Sequence, residues 1–85
     1  MFVVQYASNE TSGARLGMAV STRAAGQAVN RNRLRRLIRE SFRMHREELP
    51  AVDVLVTART GSAKATNAEI FASLAKAWQV IGAAR

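Results

Sequence analysis

Between Arg23 and Arg46 the chain holds eight arginines and one glutamate, a formal +7, while the remaining residues carry five basic and five acidic side chains and sum to zero. All of the net charge sits in one segment. Burying such cations costs several kcal/mol per ion, so any fold must leave one face of this segment to water or to a polyanion. Arginine narrows the partner further. Its planar guanidinium meets phosphate oxygens in pairs and stacks on bases, which a lysine ammonium does not. Nucleic acid is the leading partner class.

Eighty-five residues, 48% of them apolar, fit one domain, residues 1–85, with a small two-layer core. The absence of cysteine excludes disulfide stapling, a thiol nucleophile and a cysteine zinc site, and fits a reducing cytosol. No apolar run approaches the ~20 residues that span a bilayer. The start Met1-Phe2-Val3-Val4 has neither the charged segment nor the long apolar stretch of an export signal. A soluble, cytoplasmic protein is expected.

Phe2 to Ala7 is rich in β-branched and aromatic residues and runs into a polar cluster, Ser8 to Gly13, so it reads as a strand and a turn. Arg15 to Ser21 alternates, with Leu16, Met18 and Val20 on one face and Arg15, Gly17, Ala19 and Ser21 on the other. It is expected to pair antiparallel with the first strand as a hairpin. The face of small residues leaves a shallow groove wherever no helix covers it.

After a loop containing Gly26, a helix is expected from about Ala28 to Asn30 through Leu49, where Pro50 forbids continuation. Steps of 100° place Leu34, Ile38, Ser41, His45 and Leu49 on one side, with Leu37 and Phe42 at the flanks. Asn32, Arg35, Arg36, Arg39, Arg43 and Arg46 fall on the opposite side, a stripe roughly 16 Å long. Asp53 to Arg59 has an almost continuous apolar centre, as in a strand covered on both faces or lying inside a sheet. Either Thr66 or Asn67 then caps a last helix, with Glu69 placed to complete a capping box on Thr66. That helix repeats apolar residues at Ile70, Phe71, Leu74, Trp78 and Ile81, a face that packs on the sheet.

The segment Gly26-Gln27-Ala28-Val29-Asn30-Arg31-Asn32-Arg33 opens the basic helix, which continues through Arg39-Glu40-Ser41-Phe42-Arg43 to the stop at Glu48-Leu49-Pro50-Ala51. With the strand at Asp53, the helix from Asn67 to Trp78, and Arg15 to Ser21 leading into Thr22-Arg23, this ordered set resembles the protein subunits of bacterial ribonuclease P. Nearly the whole chain takes part. An isolated Arg-Asn-Arg would carry no weight; the set at these spacings is specific.

The resemblance implies a two-layer α/β (α+β) sandwich of the ribosomal-protein type, whose basic helix forms a left-handed βαβ crossover between parallel strands, against the usual right-handed preference. It implies a subunit that promotes endonucleolytic removal of the 5′ leader of precursor tRNA. The RNA subunit performs the phosphodiester hydrolysis with Mg2+ bound mainly by that RNA; the protein alone binds none and supplies no catalytic residue. Partners are the catalytic RNA and the precursor leader, with no membrane and no protein partner implied. On the matching motif, RNA contact falls to Arg31, Asn32, Arg33, Arg35, Arg36, Arg39 and Arg43, with Arg23 as an extension. Leader contact falls to Gln5, which matches a leader-contacting aromatic in some relatives; Tyr6 faces the other way. Family members carry a further helix and short strand ahead of the first strand, with a Phe-x-x-x-Phe-like pair that lines the leader cleft. Here Met1 stands directly against that strand, and an upstream extension of the reading frame is expected to encode the missing helix.

Plainer readings cover other residues. His45 lies on the apolar side with no partner at ligand spacing, and reads as a packed histidine. Phe42, Phe71 and Trp78 read as core. Ser41 lacks an adjacent base, and Gly13, Gly17 and Gly26 do not form a phosphate-binding loop. Glu40, one turn from Arg36, is expected to orient arginines by pairing. Two other functions compete: a structural RNA-binding protein of similar fold, and an arginine-rich helix lying on anionic membranes, for which large apolar anchors beyond those of the core are few.

Overall fold

A computed structural model describes residues 1–10 and 13–83, apart from the side chain of Ala24. Strand β1 spans Phe2–Ser8 and β2 spans Arg15–Ala19. A single helical turn, α1, Thr22–Ala25, occupies what the sequence suggests is loop, and the long helix α2 follows at Ala28–His45. Strand β3 is Val52–Ala58 and helix α3 is Asn67–Ala83. Of the expected turn after β1, Thr11 and Ser12 lie outside the described residues.

The sheet order is β1-β3-β2, so the expected β1–β2 hairpin does not form. Strand β3 lies between them, antiparallel to β1 from Phe2↔Ala58 to Ser8↔Val52 and parallel to β2 from Arg15↔Asp53 to Ala19↔Thr57. The difference between the strands is burial. Strand β3, whose Val52, Val54, Val56 and Ala58 are all buried, takes the centre, where both of its edges are hydrogen-bonded, and β1 and β2, which bury less, take the edges. Strand β2 runs straight into α1 and α2, and a parallel partner requires such a crossover. β3 is thus inside the sheet but not covered on both faces: Val52, Val54, Val56 and Ala58 are buried, whereas Leu55 is 40% exposed.

Both long helices pack on one face of the sheet. The core joins Leu34, Leu37 and Ile38 of α2, Ile70, Leu74, Trp78 and Ile81 of α3, and the inward valines of β3. Phe42 meets Trp78 edge to face at 5.7 Å between ring centroids, the geometry favoured by the ring quadrupoles. The buried Trp78 indole N–H donates to the equally buried Ser41 hydroxyl at 2.8 Å, so the only polar side chain among these core layers of α2 is satisfied. His45 is half-buried, with Nδ1 2.9 Å from the Ser41 carbonyl, a packed histidine.

Helix α2 ends in a 3-10 turn, Arg46–Glu48, that stops at Leu49 before Pro50. The α3 start resolves in favour of Thr66 as cap: Glu69 N–H donates to Thr66 Oγ1 at 3.1 Å and Thr66 N–H donates to Glu69 Oε1 at 2.8 Å. Gly61, with φ 89°, turns the chain between β3 and α3 in a backbone region that L side chains rarely adopt.

Candidate nucleic-acid interface

Leu34, Leu37, Ile38, Ser41 and Phe42 are all buried on α2, which fixes the rotation of the helix about its axis. The opposite side must then face solvent. Arg35, Arg36, Arg39 and Arg43 are exposed there together with Asn32, and none of these four guanidiniums has a hydrogen-bond or ion-pair partner among the described residues. Residues at i, i+3 and i+4 project side by side, so the four form one cationic surface. Arg23 on α1 is also exposed. Glu40 does not pair with the stripe: the ion pair among the described residues joins Arg15 to Asp53.

The first turns of α2 differ. Arg31 Nη1 donates to Thr22 Oγ1 at 2.7 Å and to the Gly26 carbonyl at 3.4 Å, leaving its Nε and Nη2 edge open. Arg33 turns toward the β3–α3 junction. Its Nε donates to Asn67 Oδ1 at 3.1 Å, its Nη1 to the Ala63 carbonyl at 3.1 Å, and its Nη2 to the Ala65 carbonyl at 2.8 Å and Asn67 Oδ1 at 2.7 Å. The Arg-Asn-Arg triplet is therefore split, with only Asn32 wholly outward.

Two grooves flank the edge strand β2. One, about 500 Å³, lies between β2 and α2 and is lined by Leu16, Met18 and Phe42 at its base and by Arg39, Arg43 and Arg46. Arg46 Nε donates to the Ala14 carbonyl at 3.1 Å, tying the end of the helix to the start of β2. The other groove, about 440 Å³, lies on the open sheet face and includes Gln5, Ala7, Arg15, Gly17, Asp53 and Leu55. Gln5 stands opposite Leu55 on this face, and Tyr6, opposite Val54, points to the other side, as the alternation requires. Arg15 and Leu16 line both grooves, so the two meet around β2.

The open face has its own electrostatic device. Arg15 donates to Asp53 through Nε at 2.7 Å and Nη2 at 2.9 Å, and Asn9 Nδ2 donates to the same carboxylate at 2.9 Å. The Arg15 hydrogen bonds first, and that of Asn9 second, hold the Asp53 carboxyl below its ordinary pKa. Sequence reasoning missed this cluster because it depends on the Arg15↔Asp53 register, which the hairpin expectation hid. Gly17 lowers the groove floor; a Cβ there would meet Leu55 Cδ1 at 3.6 Å, ordinary contact, and project into the open space. No group of three or more histidines, cysteines or carboxylates that could hold a metal occurs among the described residues, and no helix among them is long and apolar enough to cross a membrane.

The family model described as Ribonuclease P matches residues 1–82. The "Ribonuclease P protein component" of Legionella pneumophila is 45% identical over 78 residues, covering 92% of this chain and 67% of that protein. The Vibrio cholerae component is 42% identical over 72 residues, covering 85% and 61% respectively. Among solved structures, the Staphylococcus aureus RNase P protein superposes with a TM-score of 0.85 at 38% identity, over 93% of this chain and 72% of that one. The Thermotoga maritima RNase P protein gives 0.83 at 28% identity, over 94% and 76%. With its α+β fold and its cationic helix, the chain belongs to the ribonuclease P protein family, the non-catalytic protein subunits of the ribonucleoprotein endonuclease that processes the 5′ end of tRNA.

Proposed function

We propose that the chain grips the catalytic RNA of ribonuclease P with the arginine face of α2 and holds the 5′ leader of precursor tRNA in the groove on the open sheet face. The observation that carries the first half is the set of four exposed guanidiniums, Arg35, Arg36, Arg39 and Arg43, without protein partners among the described residues. Each can meet a phosphate in pairs, and each contact releases condensed counterions. Asn32, the open edge of Arg31, and Arg23 extend the surface; Gln5 offers an amide donor and acceptor to the leader. Arg15, common to both grooves, supports one protein holding two RNA segments side by side.

In this reading the protein breaks no bond. It binds and orients the substrate while Mg2+, held mainly by the RNA subunit and not by the protein alone, supports hydrolysis, and the complex works in the cytoplasm. Binding energy taken from a remote leader counts toward catalysis where it fixes the scissile phosphodiester in place. The test is reconstitution: at low Mg2+ the protein is added to the catalytic RNA, and cleavage of precursor tRNAs with long and with minimal leaders is compared. Stimulation that is larger for the long leader is expected. RNA binding without any stimulation would favour a purely structural RNA-binding role instead.

A further inference from the structure

We propose that Arg33 is a positioning residue, a clasp between α2 and the β3–α3 junction, rather than an RNA-contacting arginine. The inference rests on the reading above, in which the α2 stripe docks RNA. A guanidinium has five N–H donors, and four of those of Arg33 are donated within the protein: Nε–H and one Nη2–H to Asn67 Oδ1, the other Nη2–H to the Ala65 carbonyl, and one Nη1–H to the Ala63 carbonyl. One N–H remains, so Arg33 cannot present the paired donors that make arginine a phosphate ligand. Arg31 retains an entire Nε/Nη2 edge and stays with the RNA surface.

The surroundings show that this bonding is built in. A cation beside the first turn of a helix opposes the helix dipole, so the α3 start does not attract Arg33 by itself. What holds it are two half-buried backbone carbonyls, from Ala63 and Ala65, and the Asn67 amide oxygen, converging on one guanidinium. Without Arg33 these acceptors lose their donor at a junction that carries both Gly61, with φ 89°, and the Thr66–Glu69 capping box. Arg33 also lies one turn before Leu37, buried, and Arg36, exposed, on the border between the two faces of α2. A clasp there fixes the axial rotation and tilt of the first turns, and with them the direction in which Asn32, Arg35 and Arg36 project.

Affinity of Arg33→Ala, Arg33→Lys, Asn67→Ala and Arg36→Ala for the catalytic RNA is measured against salt, well below the melting midpoint of every variant. For Arg33→Ala an affinity lowered about threefold to tenfold is expected, with the log–log salt slope of the parent, because placement is lost and no phosphate contact is. Arg33→Lys, which cannot span the three acceptors, should behave similarly. The melting shifts of Arg33→Ala and Asn67→Ala should be non-additive in the double variant. Should Arg33→Ala fold poorly, Asn67→Ala, which removes no charge, is expected to show the same lowered affinity at unchanged slope. A slope that falls for Arg33→Ala as it does for Arg36→Ala would overturn the clasp while leaving the stripe intact. Melting shifts with unchanged RNA affinity would also overturn it, reducing Arg33 to a stabilising contact. No effect of Arg36→Ala on affinity or slope would instead defeat the stripe itself.

Discussion

The two faces of α2 are built from the same eighteen residues and obey opposite rules. On one, Leu34, Leu37, Ile38 and Phe42 are sealed against α3 and the sheet, and the single hydroxyl, Ser41, is matched to the Trp78 indole at 2.8 Å. On the other, Arg35, Arg36, Arg39 and Arg43 stand in water, close enough to repel one another. The covered face holds the helix in place at the cost of having no freedom in sequence or volume. The open face adds little to stability, and removing a like charge there relieves strain rather than creating it. On the proposed reading, stability and RNA affinity are separable on one helix, and Arg33 is the residue where they join.

The sharpest way to break that separation is at the covered face. Trp78→Ala should lose about 3–5 kcal/mol, from the lost burial and the cavity left behind, in a denaturant titration. Its salt slope for RNA binding, measured where the variant is still folded, should match that of the parent; an altered slope would show that the two faces are not independent. Next in size, Arg36→Ala and Arg39→Ala should each flatten the log–log salt slope by about 0.7–0.9 of a unit per lost phosphate contact, with the melting midpoint unchanged or slightly raised. An unchanged slope for both would place the RNA elsewhere.

The smallest effect concerns carboxylates away from α2. Asp53, bound by Arg15 and Asn9, and Glu69, bound by the Thr66 backbone N–H and hydroxyl, both have pKa values lowered in the folded state. A lowered folded pKa means stability that is present above the unfolded carboxylate value of about 4 and lost as pH falls through the folded one. Melting midpoints should therefore decline below about pH 4, and Asp53→Asn with Glu69→Gln should blunt that decline. Both groups are exposed, so the change should be slight, and RNA affinity at neutral pH should not follow it for Glu69→Gln.

Much of this was legible in residue order. The helix period sorted Leu34, Ile38 and Ser41 from Arg35, Arg36 and Arg39, because a 100° step fixes facing without reference to anything else. The capping box on Thr66 and the stop before Pro50 were equally local, and so was the opposite facing of Gln5 and Tyr6. Strand partnership was not. Residues 2–8 and 15–19 looked like neighbours because they are close in sequence, yet β3, more than thirty residues on, separates them. From that one error the Arg15–Asp53–Asn9 cluster was also hidden. Glu40, at helix spacing from Arg36, was expected to pair and does not: helix spacing brings the two within reach but does not by itself form the pair.

Taken alone, the order of residues determined where charge and apolar surface lie around each element, since that depends only on backbone periodicity. It fixed an arginine face that no core can absorb, and hence a surface left to water or to an anionic partner. Only the tertiary structure decided which strand stands between the other two, which groove meets the stripe, and which arginine is used up inside the protein. Those outcomes depend on acceptors brought from about thirty residues away, such as the Ala63 and Ala65 carbonyls at Arg33, and a guanidinium bonds whatever acceptors the fold places within its reach.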